Sequence, residues 1–145
     1  MKRASIYKYM DNLVFVPNGF LENGPIVSIE PITHLSVFSS DEALGHTLVN
    51  TLNFSKKMAS SLMESNLLFK QLLRISKAKS NKNLVQNGQL IAAQLKEDII
   101  QLELFESYIR YKSFGARKER LIINLDLKEA SEIDMGKELK KLFSL

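Results

Sequence analysis

The stretch Ser40-Asp41-Glu42-Ala43-Leu44-Gly45 has a counterpart near the end of the chain, Ser131-Glu132-Ile133-Asp134-Met135-Gly136. In both, a serine precedes acidic residues and an early glycine, which is typical of the start of a helix. Aligning the two glycines also pairs apolar residues at helical spacing: Leu44 with Met135, Leu48 with Leu139 and Leu52 with Phe143. Two similar helices are predicted, at about residues 41–53 and 132–143. Because glycine costs about 1 kcal/mol in a helix, its matching places predict close contact between each helix and a sheet.

Three extended, mainly apolar runs come before each of these helices. They lie at residues 4–9, 12–16 and 26–37 in the first half, and at 89–95, 99–105 and 121–127 in the second. Such runs are typical of strands, in which alternate side chains point to opposite faces. The predicted class is α+β, with one or two antiparallel sheets and helices packed on one face. The chain has two βββα-like halves, in the order β-β-β-α-α-β-β-β-α.

Individual residues refine this arrangement of strands. The continuous apolar run at 12–16 predicts a central strand that is covered on both faces. Pro31 has no backbone donor, so the strand around it is expected at a sheet edge or with a bulge. The segments Pro17-Asn18-Gly19 and Asn23-Gly24-Pro25 have the composition of a turn that links the second strand to the third.

Two further serines indicate helix starts. Ser39 with Glu42, and Ser61 with Glu64, have the spacing of a capping box. The second pair predicts an additional helix that ends near Ser76. A polar, basic connector with a short helical turn is expected after it.

Length and composition bound the class of protein. The chain has 145 residues, and we predict one domain, 1–145, with halves at about 1–55 and 88–145 and a helical basic insert at about 56–87. The absence of cysteine suits a reducing cytosol. No apolar stretch approaches the roughly 18–20 residues of a membrane helix. A cytoplasmic protein with no membrane association is expected.

The net charge of +4 is unevenly distributed along the chain. Basic residues dominate 56–82 and 110–120, and acidic residues dominate 97–106. Blocks of this kind steer charged partners, or they belong to an ordinary solvated surface.

No motif for catalysis or metal binding is present in the sequence. His34 and His46 are its two histidines, and they lie on different predicted elements. There is no HExxH or paired CxxC, no P-loop, no GxGxxG and no GxSxG. The clustered serines are explained by helix capping. We therefore expect no enzymatic activity, no cofactor and no metal site.

Residues 107–120 carry the sharpest binding signal. Aromatic and basic side chains alternate there: Tyr108, Arg110, Tyr111, Lys112, Phe114, Arg117, Lys118 and Arg120. Aromatic faces stack on bases and cations contact phosphates, so this composition suits single-stranded nucleic acid. It equally suits a protein interface, where tyrosine and arginine are enriched among hot spots. An ordinary hairpin with solvated charges is a third interpretation.

An acidic run precedes this segment and is a second candidate contact for a partner. It consists of Glu97, Asp98, Glu103 and Glu106. Its first two residues lie in the tight polar link Lys96-Glu97-Asp98, which is of hairpin type.

Short structural motifs span most of the chain. They are Lys2-Arg3-Ala4-Ser5-Ile6-Tyr7, Leu13-x-Phe15-Val16-Pro17, Ile29-Glu30-Pro31-Ile32, Ser40 with Leu44-Gly45, Leu52-Asn53-Phe54-Ser55-Lys56 and Met135-Gly136-Lys137-Glu138-Leu139. In these motifs, the sequence resembles the immunity proteins of bacterial contact-dependent growth inhibition systems. It departs from that family after Ser55, where a longer link with proline is expected and Lys57-Met58-Ala59-Ser60 stands instead.

The resemblance implies a stoichiometric inhibitor in the cytosol. Such a protein binds the toxic C-terminal domain of a large secreted effector, expected to be a nuclease, and blocks its active site or access of its substrate. Interface residues differ between members, so none is transferred to this chain, and the oligomeric state stays open. The duplicated βββα order also resembles the whirly type of single-stranded nucleic-acid-binding fold. Direct nucleic-acid binding through residues 110–120 is therefore the alternative function.

Overall fold

The computed structural model describes residues 1–21, 26–58 and 62–145. Its strands are β1 (Lys2–Tyr9), β2 (Asn12–Leu21), β3 (Ile26–Ser28), β4 (Thr33–Ser36), β5 (Lys56–Met58), β6 (Gln89–Lys96), β7 (Ile99–Leu104), β8 (Glu106–Tyr108), β9 (Ser113–Gly115) and β10 (Leu121–Asp126). Its helices are α1 (Asp41–Asn53), α2 (Leu62–Ser76), α3 (Asn81–Asn87) and α4 (Glu132–Leu142), with a 3₁₀ turn at Ile109–Tyr111.

The sheet is built around an antiparallel pair, β1 and β6, in which Ile6 lies opposite Ile91. Outward from this pair the order is β6-β7-β10 on one side and β1-β2-β3 on the other, and β4 also pairs with β2. An approximate two-fold axis between β1 and β6 therefore relates the two halves. β5 is an addition to this plan, since it runs parallel to β2. The predicted α+β class is confirmed.

The helices α1 and α4 pack on one face of the sheet, as the sequence repeat predicts. The paired apolar residues are nearly inaccessible, at most 3% exposed: Leu44, Leu48, Leu52, Met135, Leu139 and Phe143. They share one core with Ile6, Phe15, Ile91 and Leu102 of the central strands. The bounds of α1 are as predicted, and α4 ends one residue early, within the usual fraying of helix ends.

The other face of β1 and β2 is covered by α2 and α3. This second core includes Tyr9, Val14, Val16, Leu72 and Leu84. Because Leu13 and Phe15 belong to the first core, β2 is buried on both faces, as its apolar run predicts. The positions of β7 that correspond to Val14 and Val16 hold Gln101 and Glu103, so the second half presents a polar face there.

The predicted turn at Pro17-Asn18-Gly19 is wrong, because β2 continues through these residues to Leu21. The carbonyl of Pro17 accepts a hydrogen bond from the backbone N–H of Ile29 (2.9 Å). The nitrogen of Pro17 faces the same side of the strand as this carbonyl, toward the break between β3 and β4. No ladder donor is needed there, so the N–H that proline lacks costs no hydrogen bond. Asn23-Gly24-Pro25, the other half of the predicted turn, lies outside the described residues.

The strand predicted at 26–37 does lie at a sheet edge, and it is divided in two. Both β3 and β4 pair with β2, with Pro31 between them outside the ladder. A residue without a backbone donor interrupts an edge strand at little cost, because among the described residues β3 ends the sheet on that side.

The repeated glycines permit contact between α1 and α4, so the predicted contact between helix and sheet is wrong. A Cβ on Gly45 would lie 1.7 Å from the carbonyl oxygen of Glu132, and a Cβ on Gly136 would lie 1.8 Å from that of Asp41. Positions 41 and 132 are equivalent in the repeat, so the contact is reciprocal about the approximate two-fold axis. Two polar contacts of 2.8 Å reinforce it, a hydrogen bond between His46 Nδ1 and Glu132 and an ion pair between Lys140 Nζ and Asp41.

The caps of α1 and α4 use Ser40 and Ser131. Ser40 Oγ accepts a hydrogen bond from Ala43 N (3.1 Å), so the predicted capping box of Ser39 with Glu42 is wrong. At α4 the box is complete: Asp134 N donates to Ser131 Oγ (3.1 Å), and Ser131 N donates to Asp134 Oδ2 (2.9 Å). These bonds, the backbone one foremost, lower the pKa of Asp134.

The insert between the halves contains two helices. The end of α2 at Ser76 is as predicted, and α3 is longer than the single turn expected there. The predicted capping box of Ser61 with Glu64 lies outside the residues whose side chains are described.

Candidate partner-binding surface

The aromatic and basic segment folds as a hairpin, formed by β8, the 3₁₀ turn and β9. Ser107 pairs with Phe114 and Tyr108 with Ser113. Lys112 has a left-handed backbone (φ 50°) and returns the chain from the turn into β9. The 3₁₀ turn is the tip of the hairpin.

Three contacts fix the hairpin to the rest of the protein. The ring of Phe114 meets the ring of Tyr7 edge to face, with 6.1 Å between centroids, and burial raises the pKa of Tyr7. The side-chain amide of Asn81, at the start of α3, donates to the carbonyl of Lys112 (2.8 Å). Ser107 Oγ donates to the carbonyl of Val85 (2.5 Å). The hairpin is thus held by α3 and by β1.

The tip itself is open to solvent. Tyr111 is 72% exposed and Ile109 is 50% exposed. The guanidinium of Arg110 lies 5.7 Å from the centroid of the Tyr111 ring, a distance at which a cation and an aromatic face attract each other. Apolar, aromatic and cationic groups are therefore presented together on a fixed turn.

Tyr108 is engaged within the hairpin. Its ring lies over Gly115, where an added Cβ would be 2.4 Å from the ring. Its hydroxyl donates to the carbonyl of Ala116 (2.6 Å). The neighbouring Glu106 is the largest cause of a raised pKa of Tyr108, followed by desolvation of the hydroxyl.

Arg120 and Glu103 form a two-pronged ion pair on the polar face of the second half. Arg120 Nε and Nη2 donate to the two oxygens of Glu103 at 2.7 and 2.6 Å. The Glu103 side chain is 8% exposed, whereas that of Arg120 is 54% exposed. The hydrogen bond, with the charge of Glu103 behind it, raises the pKa of Arg120. Both residues line an open cleft of about 250 Å³, together with Gln94 and Gln101.

The acidic run is divided in space. Glu97 and Asp98 form the turn between β6 and β7, as predicted, and both have left-handed backbones. Asp98 is paired with Lys128 (3.5 Å). Glu103 is five residues further along β7, roughly 17 Å away at the rise of a strand, and Glu106 is on β8. The four carboxylates therefore do not form one continuous patch.

The end of the first basic block and the start of the second, in contrast, are brought together. The helix α3 contacts β8, β9 and the 3₁₀ turn, and Asn81 bonds to the carbonyl of Lys112, so Lys82 and the cations shortly before α3 are near those of the hairpin tip. We call this the basic surface and define it by five exposed residues: Lys77, Lys79, Lys82, Arg110 and Lys112. The positive blocks are visible in the sequence, but their contact is not, because it depends on the docking of the hairpin against α3.

The last two predicted residues lie beyond the hairpin. Lys118 is exposed, and Arg117 is half-buried with its Nε lacking a hydrogen-bond acceptor among the described residues. Neither belongs to the basic surface as defined.

The two histidines lie on separate elements, His34 on β4 and His46 on α1. His34 Nε2 is 2.8 Å from Asn12 Oδ1 on the edge strand, and His46 Nε2 is 3.0 Å from Asn50 Nδ2 on α1. Within the described parts of the chain, no three histidine, aspartate or glutamate side chains are grouped as metal ligands. The described helices include none that is long and apolar enough to cross a membrane.

A duplicated βββα unit with its helices paired on one face of a shared sheet defines the fold. No family model and no curated protein matches the sequence. Among solved structures, one chain of the CdiA-CT/CdiI toxin and immunity complex from Yersinia pseudotuberculosis has the same fold. The TM-score is 0.76 at 13% identity, covering 99% of this chain and 95% of that chain.

A protein of unknown function from Neisseria meningitidis is also similar. The TM-score is 0.77 at 16% identity, over 99% of this chain and 93% of that one. At these identities the likeness establishes a shared fold.

Proposed function

We propose that this protein is an immunity protein of the contact-dependent growth inhibition type. In this role it binds the toxic C-terminal domain of its cognate effector in the cytosol and neutralises it, without catalysing a reaction. The observation that carries the proposal is the end-to-end likeness to one chain of a toxin and immunity complex. The sequence motifs quoted above, which resemble immunity proteins of that type, favour the immunity partner.

The geometry suits a protein that acts by binding. Immunity requires slow dissociation from the toxin, and slow dissociation is favoured by a surface that is already ordered in the free protein. The hairpin tip meets this requirement, because Asn81 and Phe114 hold its backbone and its base in place. Tyr111 and Arg110, both of types enriched among interface hot spots, remain available to a partner.

We expect the partner to be a nuclease, and the charges of this protein limit the ways in which it can inhibit such a toxin. Many inhibitors of nucleases imitate nucleic acid with acidic side chains. Here Glu103 is paired with Arg120, Asp98 lies 3.5 Å from Lys128, and the four carboxylates are divided in space, so the acidic run does not resemble a phosphate chain. We favour obstruction by a docked protein surface.

Co-expression tests the proposal. Cells that produce the toxic C-terminal domain of the large secreted protein encoded immediately upstream should stop growing, and this protein should restore growth. A toxin domain of a different activity, from an unrelated effector, is the matched control and should remain lethal. Failure to protect against the upstream domain, at expression levels where the protein is folded, would remove the proposal.

A further inference from the structure

We propose that the basic surface, with Ile109 and Tyr111 at its edge, is where the toxin domain docks, and that the toxin contributes an acidic face. This assignment rests on the proposed function and adds to it the interface and the chemistry of the partner.

Charge is the first argument. All five cations of the basic surface are exposed. No acidic residue occurs at positions 77–87 or 107–118, the segments that form this surface. Charges within roughly 8 Å are not fully screened at physiological ionic strength, so neighbouring cations from α3 and the tip reinforce one another's field. Such a field attracts an acidic partner and accelerates its association.

Apolar anchors beside the cations are the second argument. Long-range attraction alone yields fast but short-lived encounters, whereas buried aromatic and apolar groups slow dissociation. Ile109 and Tyr111 are both at least half exposed on a turn whose backbone is fixed by Asn81. Little ordering is therefore needed when a partner covers them.

A protein fits this surface better than a single-stranded nucleic acid does. Nucleic acid of that kind needs successive aromatic faces on which its bases stack. The ring of Tyr108 lies over Gly115, and Phe114 is packed against Tyr7. Tyr111 is the most exposed of the three hairpin aromatics, at 72% against 38% for Tyr108, and Arg110 lies close to its ring.

The experiment compares two charge-reversed proteins with the same net charge. The first is Lys82→Glu/Arg110→Glu on the basic surface. The second is Lys137→Glu/Lys141→Glu on α4, whose lysines are exposed on the opposite side of the sheet. Because both variants lose the same charge, any difference in toxin binding between them is due to the position of the substituted residues. Thermal melting establishes that each is folded before binding is measured.

The probe is the toxin domain encoded upstream, purified in a catalytically inactive form, and the readout is the association and dissociation rates at several salt concentrations. For the wild type we expect association that slows as salt rises. The basic-surface variant should associate about 10-fold more slowly at low salt, with a flatter salt dependence. The α4 variant should stay within about 3-fold of the wild type. Tyr111→Ala should leave association nearly unchanged and raise the dissociation rate by about 10-fold or more.

Three outcomes would overturn the assignment. If the wild type binds tightly and both charge variants bind equally well, docking occurs elsewhere, and the immunity function stands. If the wild type does not bind the toxin domain at all, the proposed function fails, and the docking assignment fails with it. If the wild type shifts a 20-nucleotide single-stranded RNA at low salt, and the basic-surface variant loses only that activity, the surface serves nucleic acid.

Discussion

Replacement of Gly136 by alanine tests the crossing of α1 and α4. The added methyl group would sit 1.8 Å from the backbone oxygen of Asp41, whereas ordinary contact begins at 3.4 Å. The helices must therefore separate by roughly 1.6 Å at this point. Neither helix can yield by rotating a side chain, since the clash is with backbone.

The magnitude follows from two opposing effects. Alanine gains about 1 kcal/mol over glycine in a helix. Forcing extra volume into a packed contact costs typically 1–3 kcal/mol, and a clash with backbone belongs at or above the upper end. We expect a net loss of about 2 kcal/mol, which lowers Tm by roughly 4–8 °C for a chain of this size. Gly45→Ala should behave alike, because its contact with Glu132 is the equivalent one.

The assay is thermal and urea unfolding of each single variant and of the double variant. One separation of the helices relieves both clashes, so the double variant should lose less than the sum of the single losses. The control is Lys137→Ala, an exposed neighbour on the same helix, expected within about 0.5 kcal/mol of the wild type. A rise in Tm for either glycine variant would show that helix propensity dominates and that the two helices do not touch there.

Three further predictions concern the ion pair, the cap of α4 and the unfolding transition. Arg120→Ala should lower the urea midpoint of unfolding, because it leaves the buried Glu103 carboxylate without its partner. Glu103→Gln should lower the midpoint less, because the half-exposed Arg120 can then turn to water; equal losses in urea unfolding would contradict this explanation. The pKa of Asp134 is lowered on folding, so the stabilisation by its carboxylate is present above the ordinary pKa near 3.8 and is lost as pH falls through the lowered pKa. The difference in urea midpoint between wild type and Asp134→Asn should therefore be largest near pH 7 and shrink below about pH 4. A difference in midpoint that does not change with pH would refute this prediction. Because α1 and α4 belong to one core with strands of both halves, unfolding should be a single transition with coincident circular-dichroism and fluorescence curves, and two separated transitions would assign the halves to independent units.

Much of the fold could be predicted from local patterns. The bounds of α1 follow from a serine cap and leucines at helical spacing, and the burial of β2 follows from an unbroken apolar run. These features depend on neighbours in sequence. The glycine contacts could not be assigned to the correct partner, because a tight approach to a helix and to a sheet impose the same demand for a missing side chain.

The candidate site was less accessible to prediction, for a similar reason. Composition makes residues 107–120 a candidate binding segment, with an ordinary hairpin as another interpretation, but it does not separate the side chains that hold the hairpin from those that face solvent. Phe114 packs against Tyr7 and the Tyr108 hydroxyl bonds to Ala116, whereas Tyr111 is 72% exposed. The sequence predicts Glu103 as an available acid, but in the structure its carboxylate is paired with Arg120, which is 17 residues away.

The central claim is that this protein neutralises a toxin by binding it in a one-to-one complex. Titration of the active toxin domain with the purified protein measures this directly, with the toxin at a concentration far above the dissociation constant. Residual toxin activity should fall linearly and reach zero at one equivalent, independent of incubation time. Loss of activity that continues with time at a tenth of an equivalent, or full activity at a tenfold excess, would contradict the claim.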